Sequence, residues 1–261
     1  MFLVDSHCHL DQLDLSVYNG DLSKALQAAQ DQGVGYFLCV CITLEDYPAM
    51  RTLIEPYDNI SASVGLHPNE KISVEPTLET LIQLGQDNKV IAIGETGLDY
   101  YRSEGDLDWQ RERFRRHIRA AIALNKPIIV HSRQAREDTL SILKEENAQS
   151  VGGVLHCFTE DLAMANAAID LNFYVSFSGI VTFNNAKEIQ HVAKSLPLEK
   201  ILIETDSPYL APIPFRGKTN QPAYVRYVAE YLANLRGISL NVLATTTTAN
   251  FFKCFKDARH V

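Results

Sequence analysis

Short apolar runs alternate along this chain with longer segments in which apolar residues recur at three- and four-residue steps. The short runs are rich in valine and isoleucine, which is typical of strands buried on both faces. The longer segments have the periodicity of amphipathic helices, and several stop at a glycine or proline. The pattern predicts strands at residues 2–5, 35–41, 60–64, 90–94, 127–130, 153–155, 173–177 and 201–204, and helices at residues 21–32, 44–57, 76–88, 108–124, 135–147, 162–171, 185–195 and 222–236.

Eight strand–helix units within 261 residues indicate an α/β protein built as a (β/α)₈ TIM barrel. Residues 240–256 predict an extra C-terminal helix. No low-complexity linker divides the chain, so we expect a single domain over residues 1–261. A doubly wound sheet is the alternative, but it would require a Gly-x-Gly-x-x-Gly turn after an early strand, and the sequence contains none.

The formal net charge of -8 argues against a protein that coats nucleic acid, because such domains are usually basic. It leaves room for an enzyme that handles one end of a nucleic acid through bound metals and a few arginines. No apolar run approaches the roughly 18 residues of a membrane span, and no basic segment precedes the first apolar run. We therefore expect a cytoplasmic protein that does not contact membranes, with its five cysteines reduced.

The active site of such a barrel is built where its strands end, and histidines gather at those predicted ends. His7 and His9 end the first strand with one residue between them, so their side chains face the same way and can bind one divalent ion. Further histidines follow the third, fifth and sixth strands: His67, His131 and His156. The remaining three lie elsewhere: His117, His191 and His260.

Two carboxylates at predicted strand ends complete a candidate metal centre. Glu95 follows the fourth strand and Asp206 the eighth. Four imidazoles and two carboxylates suit a pair of divalent ions, for which magnesium, manganese and zinc are all candidates. We expect Glu95 to bridge the two ions and Asp206 to bind one of them and accept the proton of an attacking water. The predicted metal ligands are His7, His9, Glu95, His131, His156 and Asp206.

Five separated motifs in this sequence resemble those of the TatD family of metal-dependent deoxyribonucleases, which belongs to the wider amidohydrolase-like group. The motifs are Asp5-Ser6-His7-Cys8-His9-Leu10-Asp11, Gly94-Glu95-Thr96-Gly97-Leu98-Asp99-Tyr100-Tyr101, His131-Ser132-Arg133, Leu155-His156-Cys157-Phe158 and Glu204-Thr205-Asp206-Ser207-Pro208-Tyr209. The resemblance implies a TIM-barrel hydrolase that cleaves DNA phosphodiester bonds as a metal-dependent 3′-to-5′ exonuclease. By the family pattern, the metal ligands are the same six residues, and the partner is a DNA end or an oligonucleotide.

Three further residues are predicted to bind substrate. His67 could hydrogen-bond a phosphate oxygen, and Arg133 faces the same side as His131 and suits a phosphate. Tyr100 could stack on a base or pack against the barrel rim. By contrast, the basic run at residues 111–116 predicts a solvated helix face outside the barrel. No obligate protein partner is evident.

Two other functions remain open at this stage. The same metal site could hydrolyse an amide or an ester, such as a D-aminoacyl-tRNA, because substrate choice lies in the loops. Amidohydrolases bridged by a carbamylated lysine would have a lysine at the fourth strand end, where this chain has Glu95. A non-enzymatic metal-binding barrel would be expected to lose some of the ligands, and this chain keeps all six.

Overall fold

The computed structural model describes residues 1–259, in which eight parallel strands form one sheet in sequential order. The last strand returns beside the first: Ser6 donates a hydrogen bond to Ile203 O (2.9 Å) and Asp206 N donates to His7 O (2.9 Å). The sheet is therefore a nearly closed barrel, as the alternation of elements predicted. The strands are β1 Leu3–Cys8, β2 Val34–Cys39, β3 Ile60–Val64, β4 Val90–Asp99, β5 Ile128–Arg133, β6 Gly153–Leu155, β7 Phe173–Phe177 and β8 Ile201–Ile203.

Helices connect successive strands and surround the barrel. Several begin at a side chain that accepts a hydrogen bond from the first turn, as Asp21, Thr77, Asp161 and Ser239 do. None of the helices within residues 1–259 is long and apolar enough to cross a membrane. The helices are α1 Leu22–Asp31, α2 Tyr47–Ile54, α3 Leu78–Gly85, α4 Asp108–Leu124, α5 Arg136–Glu145, α6 Leu162–Asp170, α7 Lys187–Ser195, α8 Val225–Arg236 and α9 Leu240–Cys254.

The strands are buried on both faces, which explains their uninterrupted apolar character. On β2, Phe37 and Cys39 pack in the layer between strands and helices, whereas Tyr36 and Leu38 lie in the second hydrophobic cluster with Phe251 of α9. Helix α9 lies where the strands begin, since Asn250 donates to Ile201 O (2.8 Å) at the start of β8. The extra C-terminal helix therefore closes the end of the barrel opposite to the strand ends.

Strand β4 differs from its predicted boundary: it continues through the glycine-containing segment to Asp99 and pairs there with β5. Gly94 and Gly97 have φ values of +140° and +138°, which favour glycine. A Cβ atom at Gly97 would lie 2.1 Å from His131 O, so only glycine allows the two strands to run this close. Glu95 and His131 consequently lie within paired strands rather than on loops after them.

Candidate metal centre and active-site cavity

A cavity of about 640 Å³ opens at the carboxyl ends of the strands. Its wall includes five of the six predicted metal ligands, and His7 lies buried in contact with them. The structure thus brings together residues that lie up to about two hundred positions apart in the sequence. The wall-lining ligands are His9, Glu95, His131, His156 and Asp206.

On one side of the cluster, His7 of β1 and His9, which directly follows the strand, face Asp206. His9 Nε2 lies 3.3 Å from Asp206 Oδ1, and His7 Nε2 lies 3.7 Å from the same oxygen. The other ring nitrogen of His9 donates to Val40 O (2.9 Å), which fixes the tautomer with Nε2 free to act as a ligand. His7 Nε2 also lies 3.2 Å from Glu95 Oε2.

Glu95 stands at the centre of the cluster, with a different set of neighbours for each oxygen. Its Oε2 atom faces His7, as described above. Its Oε1 atom lies 2.7 Å from His156 Nε2, 3.0 Å from His131 Nδ1 and 3.4 Å from His67 Nε2. One carboxylate therefore connects His7 of β1 with three histidines from other parts of the barrel: His67, His131 and His156.

The donor atoms are close enough to hold metal. Three sets have ligand atoms within 4.8 Å of one another: His7, His9 and Glu95; His7, His156 and Asp206; and His67, Glu95 and His131. Neither ring nitrogen of His7 makes a hydrogen bond, although the side chain is wholly buried. A buried polar atom without a hydrogen bond is costly, and a metal ion facing Glu95 and Asp206 would satisfy it. The residues present fit a divalent metal.

Charge coupling within the cluster is strong. Burial alone would raise the pKa of Glu95, but charge on His156 and hydrogen bonds from neighbouring imidazoles hold it well below the usual value. Burial would lower the pKa of His156, yet Glu95 and Glu204 raise it well above the ordinary value. Without metal, Glu95 and Glu204 therefore favour the protonated form of His156. Metal ions bind deprotonated ligands, so a bound ion would take the place of this proton.

Two buried carboxylates outside the predicted ligand set support the cluster. Asp5 accepts hydrogen bonds from Thr205 N (2.8 Å) and Thr205 Oγ1 (2.6 Å), which fastens the segment that carries Asp206. Glu204 accepts from Cys157 N (2.7 Å) and lies 3.3 Å from His156 Nδ1. Glu204 thus orients the imidazole of His156.

The structure places two of the three predicted substrate-binding residues at the cavity and the third away from it. His67 and Arg133 line the cavity. His67 accepts a hydrogen bond from Asn69 N at Nδ1 (3.1 Å), so its Nε2 points into the site, and burial lowers the pKa of His67 to about 4. His67 is therefore a neutral hydrogen-bond donor at neutral pH.

The position of Tyr100 corrects the suggestion that it stacks on a base. Its hydroxyl donates to Asp138 on α5 (2.5 Å), and the Arg111 guanidinium of α4 lies 5.6 Å from its ring centre. Tyr100 directly follows Asp99, and successive side chains of an extended strand point to opposite faces. Tyr100 accordingly packs in the layer between strands and helices.

Sequence reasoning overlooked several residues of the cavity wall. Asp99 accepts hydrogen bonds from Asn69 Nδ2 (2.8 Å) and His131 Nε2 (3.2 Å), so His131 lies between Asp99 and Glu95. Asp99 lies four residues after Glu95 on one strand, so the period of two would have found it had β4 been extended correctly. Tyr209, half exposed at the cavity wall, was also not singled out. His260 lies outside the described residues.

Comparisons with known proteins agree with this architecture. The chain matches the family described as "TatD related DNase" over residues 4–256. It is 50% identical over 258 residues to YcfH of Escherichia coli K12, described as an uncharacterized metal-dependent hydrolase, which covers 98% of this chain and 96% of that protein. YabD of Bacillus subtilis, described in the same words, is 42% identical over 255 residues, covering 97% and 99%.

A solved structure shows the same fold. The crystal structure of YjjV, a TatD homologue from Escherichia coli K12, gives a TM-score of 0.87 at 29% identity, and the match covers 97% of this chain and 98% of that one. The TatD homologue and the present chain therefore share the barrel along nearly their whole lengths.

Proposed function

The chain belongs to the TatD-related DNase family and is a metal-dependent hydrolase, and we propose that it is a deoxyribonuclease that removes nucleotides from the 3′ end of DNA. The observation that carries the proposal is the position of the six predicted ligands. They form a largely buried cluster that could hold divalent metal, and Arg102 and Arg133 line the same cavity. This arrangement suits an anionic substrate whose reacting group enters end-on.

We propose that the cluster holds two divalent ions rather than one. Glu95 has one oxygen facing His7 and the other facing His131 and His156. A carboxylate placed in this way can bridge two ions, as in two-metal hydrolases. His7 and His9 would hold one ion, and His131 and His156 the other. Magnesium, manganese and zinc are the candidate metals, because imidazoles favour zinc and manganese and the family resemblance favours magnesium.

Metal bound here would supply a water acidified toward neutrality and would neutralise charge on the phosphate. Asp206 is the residue that we propose to accept the proton of that water. Burial would raise the pKa of Asp206, but the hydrogen bond with His9 and the nearby imidazoles lower it, so Asp206 is an ionised acceptor. Its side chain keeps 13% of its surface exposed, toward the cavity.

The remaining cavity wall supports a nucleotide substrate. Arg102 and Arg133 line the cavity beside the predicted metal ligands and can pair with phosphate oxygens, while His67 can donate a hydrogen bond to one. The Arg133 guanidinium lies 3.9 Å from the ring centre of Tyr101, which is 57% exposed. Exposed aromatic rings beside cationic groups suit the stacking of single-stranded bases.

The test is a gel time course with a single-stranded DNA oligonucleotide labelled at its 5′ end, in magnesium, manganese or zinc. We expect a ladder that shortens one nucleotide at a time, which identifies removal from the 3′ end. The immediate appearance of labelled mononucleotide would instead show that nucleotides are removed from the 5′ end. Intact oligonucleotide in the presence of folded, metal-loaded protein would contradict the proposal and make amide and ester substrates, such as aminoacyl-tRNA, the next to try.

A further inference from the structure

Helix α4 carries a row of buried polar side chains that the metal cluster does not use. Gln110, Arg113 and His117 are at most 1% exposed. Their spacing of three and four residues places them on the same face of the helix, and we call these three residues the α4 polar face. Arg113 belongs to the basic run that the sequence predicted to be solvated, and that prediction is wrong for this residue. A buried arginine requires partners for its charge and its donors.

Arg113 finds its partners in the loop between β3 and α3. Its Nη1 atom donates to His67 O (3.0 Å) and Glu70 O (3.0 Å), and its Nε atom donates to the Glu75 carboxylate (3.0 Å). The Trp109 ring covers the guanidinium at 4.8 Å. One side chain therefore fixes both ends of residues 67–75, including the backbone of His67.

The other two members of the α4 polar face hold neighbouring backbone. His117 Nε2 accepts a hydrogen bond from Leu66 N (3.1 Å), and its Nδ1 donates to Arg113 O (2.8 Å). Gln110 accepts from Asp99 N (3.0 Å) and donates to Ser103 Oγ (2.7 Å). Thus His117 and Arg113 hold the loop after β3, and Gln110 holds the loop after β4.

The two loops also meet at the cavity wall. Asn69 donates to Asp99 Oδ2 (2.8 Å) and accepts from Ser103 Oγ (3.3 Å). These loops carry a large part of the cavity wall outside the metal cluster, namely His67, Asn69, Glu70, Asp99 and Arg102. A helix on the outside of the barrel is thereby connected, through at most two hydrogen bonds, to the side chains that would meet the substrate.

We propose that the α4 polar face is a positioning device that sets His67 and the wall around it at the distance from the metal cluster that substrate requires. Arg113 is the central positioning residue. The proposal rests on the proposed function only in taking His67 as a phosphate contact. Hydrogen bonds to Leu66 N, His67 O and Glu70 O restrict a loop whose Ile72 and Val74 side chains are exposed. Small displacements of substrate-holding groups are costly in rate.

The first test is a kinetic double-mutant cycle with the labelled oligonucleotide. Arg113→Met keeps the length of the side chain and removes its donors, and Arg119→Met on the exposed side of the same helix is the control. We expect Arg113→Met to raise KM by about 10-fold or more with a smaller change in kcat. Adding Arg113→Met to His67→Ala should then raise KM by a smaller factor than it does in the wild type, because part of its effect is exerted through His67. Effects that multiply in the double variant would overturn the proposal.

The second test does not depend on activity. Amide hydrogen exchange of the metal-loaded protein should be faster in residues 66–76 of Arg113→Met and unchanged there in Arg119→Met. Unchanged exchange in this segment, or acceleration spread evenly over the chain, would overturn the proposal. If Arg113→Met does not fold, Glu75→Gln takes its place, with the same segment expected to exchange faster by a smaller factor. Wild-type protein that fails to cut DNA would count against the proposed function, while the exchange result would still test the positioning role.

Discussion

At the scale of single residues, Asp206 has the most demanding role, because it is both a proposed metal ligand and the proposed proton acceptor. Asp206→Asn keeps the shape of the side chain and removes its charge. We expect turnover of the oligonucleotide to fall by at least about 100-fold while binding of the oligonucleotide survives. Single-turnover rates, fluorescence anisotropy and metal content measured on the same preparation separate these effects. Unchanged turnover would rule out the proton-accepting role.

His156 offers a test of the metal cluster itself. His156→Ala removes an imidazole that lies 2.7 Å from Glu95, and we expect more than about 100-fold loss of hydrolysis together with lost metal, since even the outer partners of ligands contribute about 10- to 100-fold. The exposed His191 on α7 provides the matched control, His191→Ala. Circular dichroism should show both variants folded. Full metal content and activity in His156→Ala would remove this residue from the site.

The sequence predicted many of the cavity-wall residues because their position relative to the strands follows from the apolar runs alone. The prediction failed at the end of β4, where Tyr100 was favoured and its neighbour Asp99 was not used. Alternation along a strand assigns opposite faces to adjacent residues, so a strand predicted to end at residue 94 left Asp99 and Tyr100 without an assigned face. Hydrogen bonds between loops, such as Asn69 to Asp99, have no periodic signature in a sequence.

At the scale of secondary-structure elements, the close pairing of β4 and β5 depends on Gly97. Gly97→Ala would place a Cβ atom 2.1 Å from His131 O, so the strands must separate where Glu95 and His131 meet. We expect a loss of about 3 kcal/mol or more in the free energy of unfolding, and reduced metal binding. Denaturant unfolding and metal content provide the measurement.

Gly105→Ala is the matched control for this prediction. Gly105 also has a positive φ (+86°), but no atom lies within 4 Å of the position of its Cβ. Gly105→Ala should therefore have only the backbone cost of about 1–2 kcal/mol that a side chain has at positive φ. It lacks the clash with β5 that Gly97→Ala creates. Equal effects of the two substitutions would show that the close approach of the strands is unimportant.

The element boundaries show where sequence patterns are informative. The valine- and isoleucine-rich cores of the strands were found because burial on both faces requires apolar residues there. The continuation of β4 through Gly94-Glu95-Thr96-Gly97 was not found, because glycine and polar residues are typical of loops. In this barrel, the glycines are required within β4 because β4 and β5 run close together. Glu95 is required there because it lies among the predicted metal ligands.

At the scale of the whole molecule, the two ends of the barrel differ: the cavity opens where the strands end, and helix α9 closes the end where they begin. Phe251 of α9 is wholly buried among the inner residues of the strands. Phe251→Ala should lower the free energy of unfolding by about 3–5 kcal/mol, since it leaves a large cavity. Activity per folded molecule should not change, because the substitution lies at the opposite end from the cavity. Denaturant unfolding with parallel activity assays would show this.

Val242→Ala on the exposed face of the same helix is the control for Phe251→Ala, with an expected change within about 0.5 kcal/mol. A similar loss of stability in both variants would mean that α9 contributes through helix formation rather than by closing the barrel.

The overall architecture was predictable because alternating strands and helices of this number have few compact solutions. The role of α9 was not, since its sequence reads as one more amphipathic helix and nothing local indicates which surface it covers. The α4 polar face was missed for a related reason. An arginine-rich run is usually solvated, and only the three-dimensional structure shows that Arg113 points inward.

We expect the buried cluster to bind divalent ions and hydrolysis to depend on them. The most direct measurement is a titration of metal-stripped protein with Mn²⁺, with bound metal per chain and oligonucleotide hydrolysis determined in the same samples. We expect saturation at two ions per chain, hydrolysis that rises with occupancy, and loss of both in His156→Ala. Hydrolysis at the full rate by protein without metal, or full metal binding in His156→Ala, would contradict it.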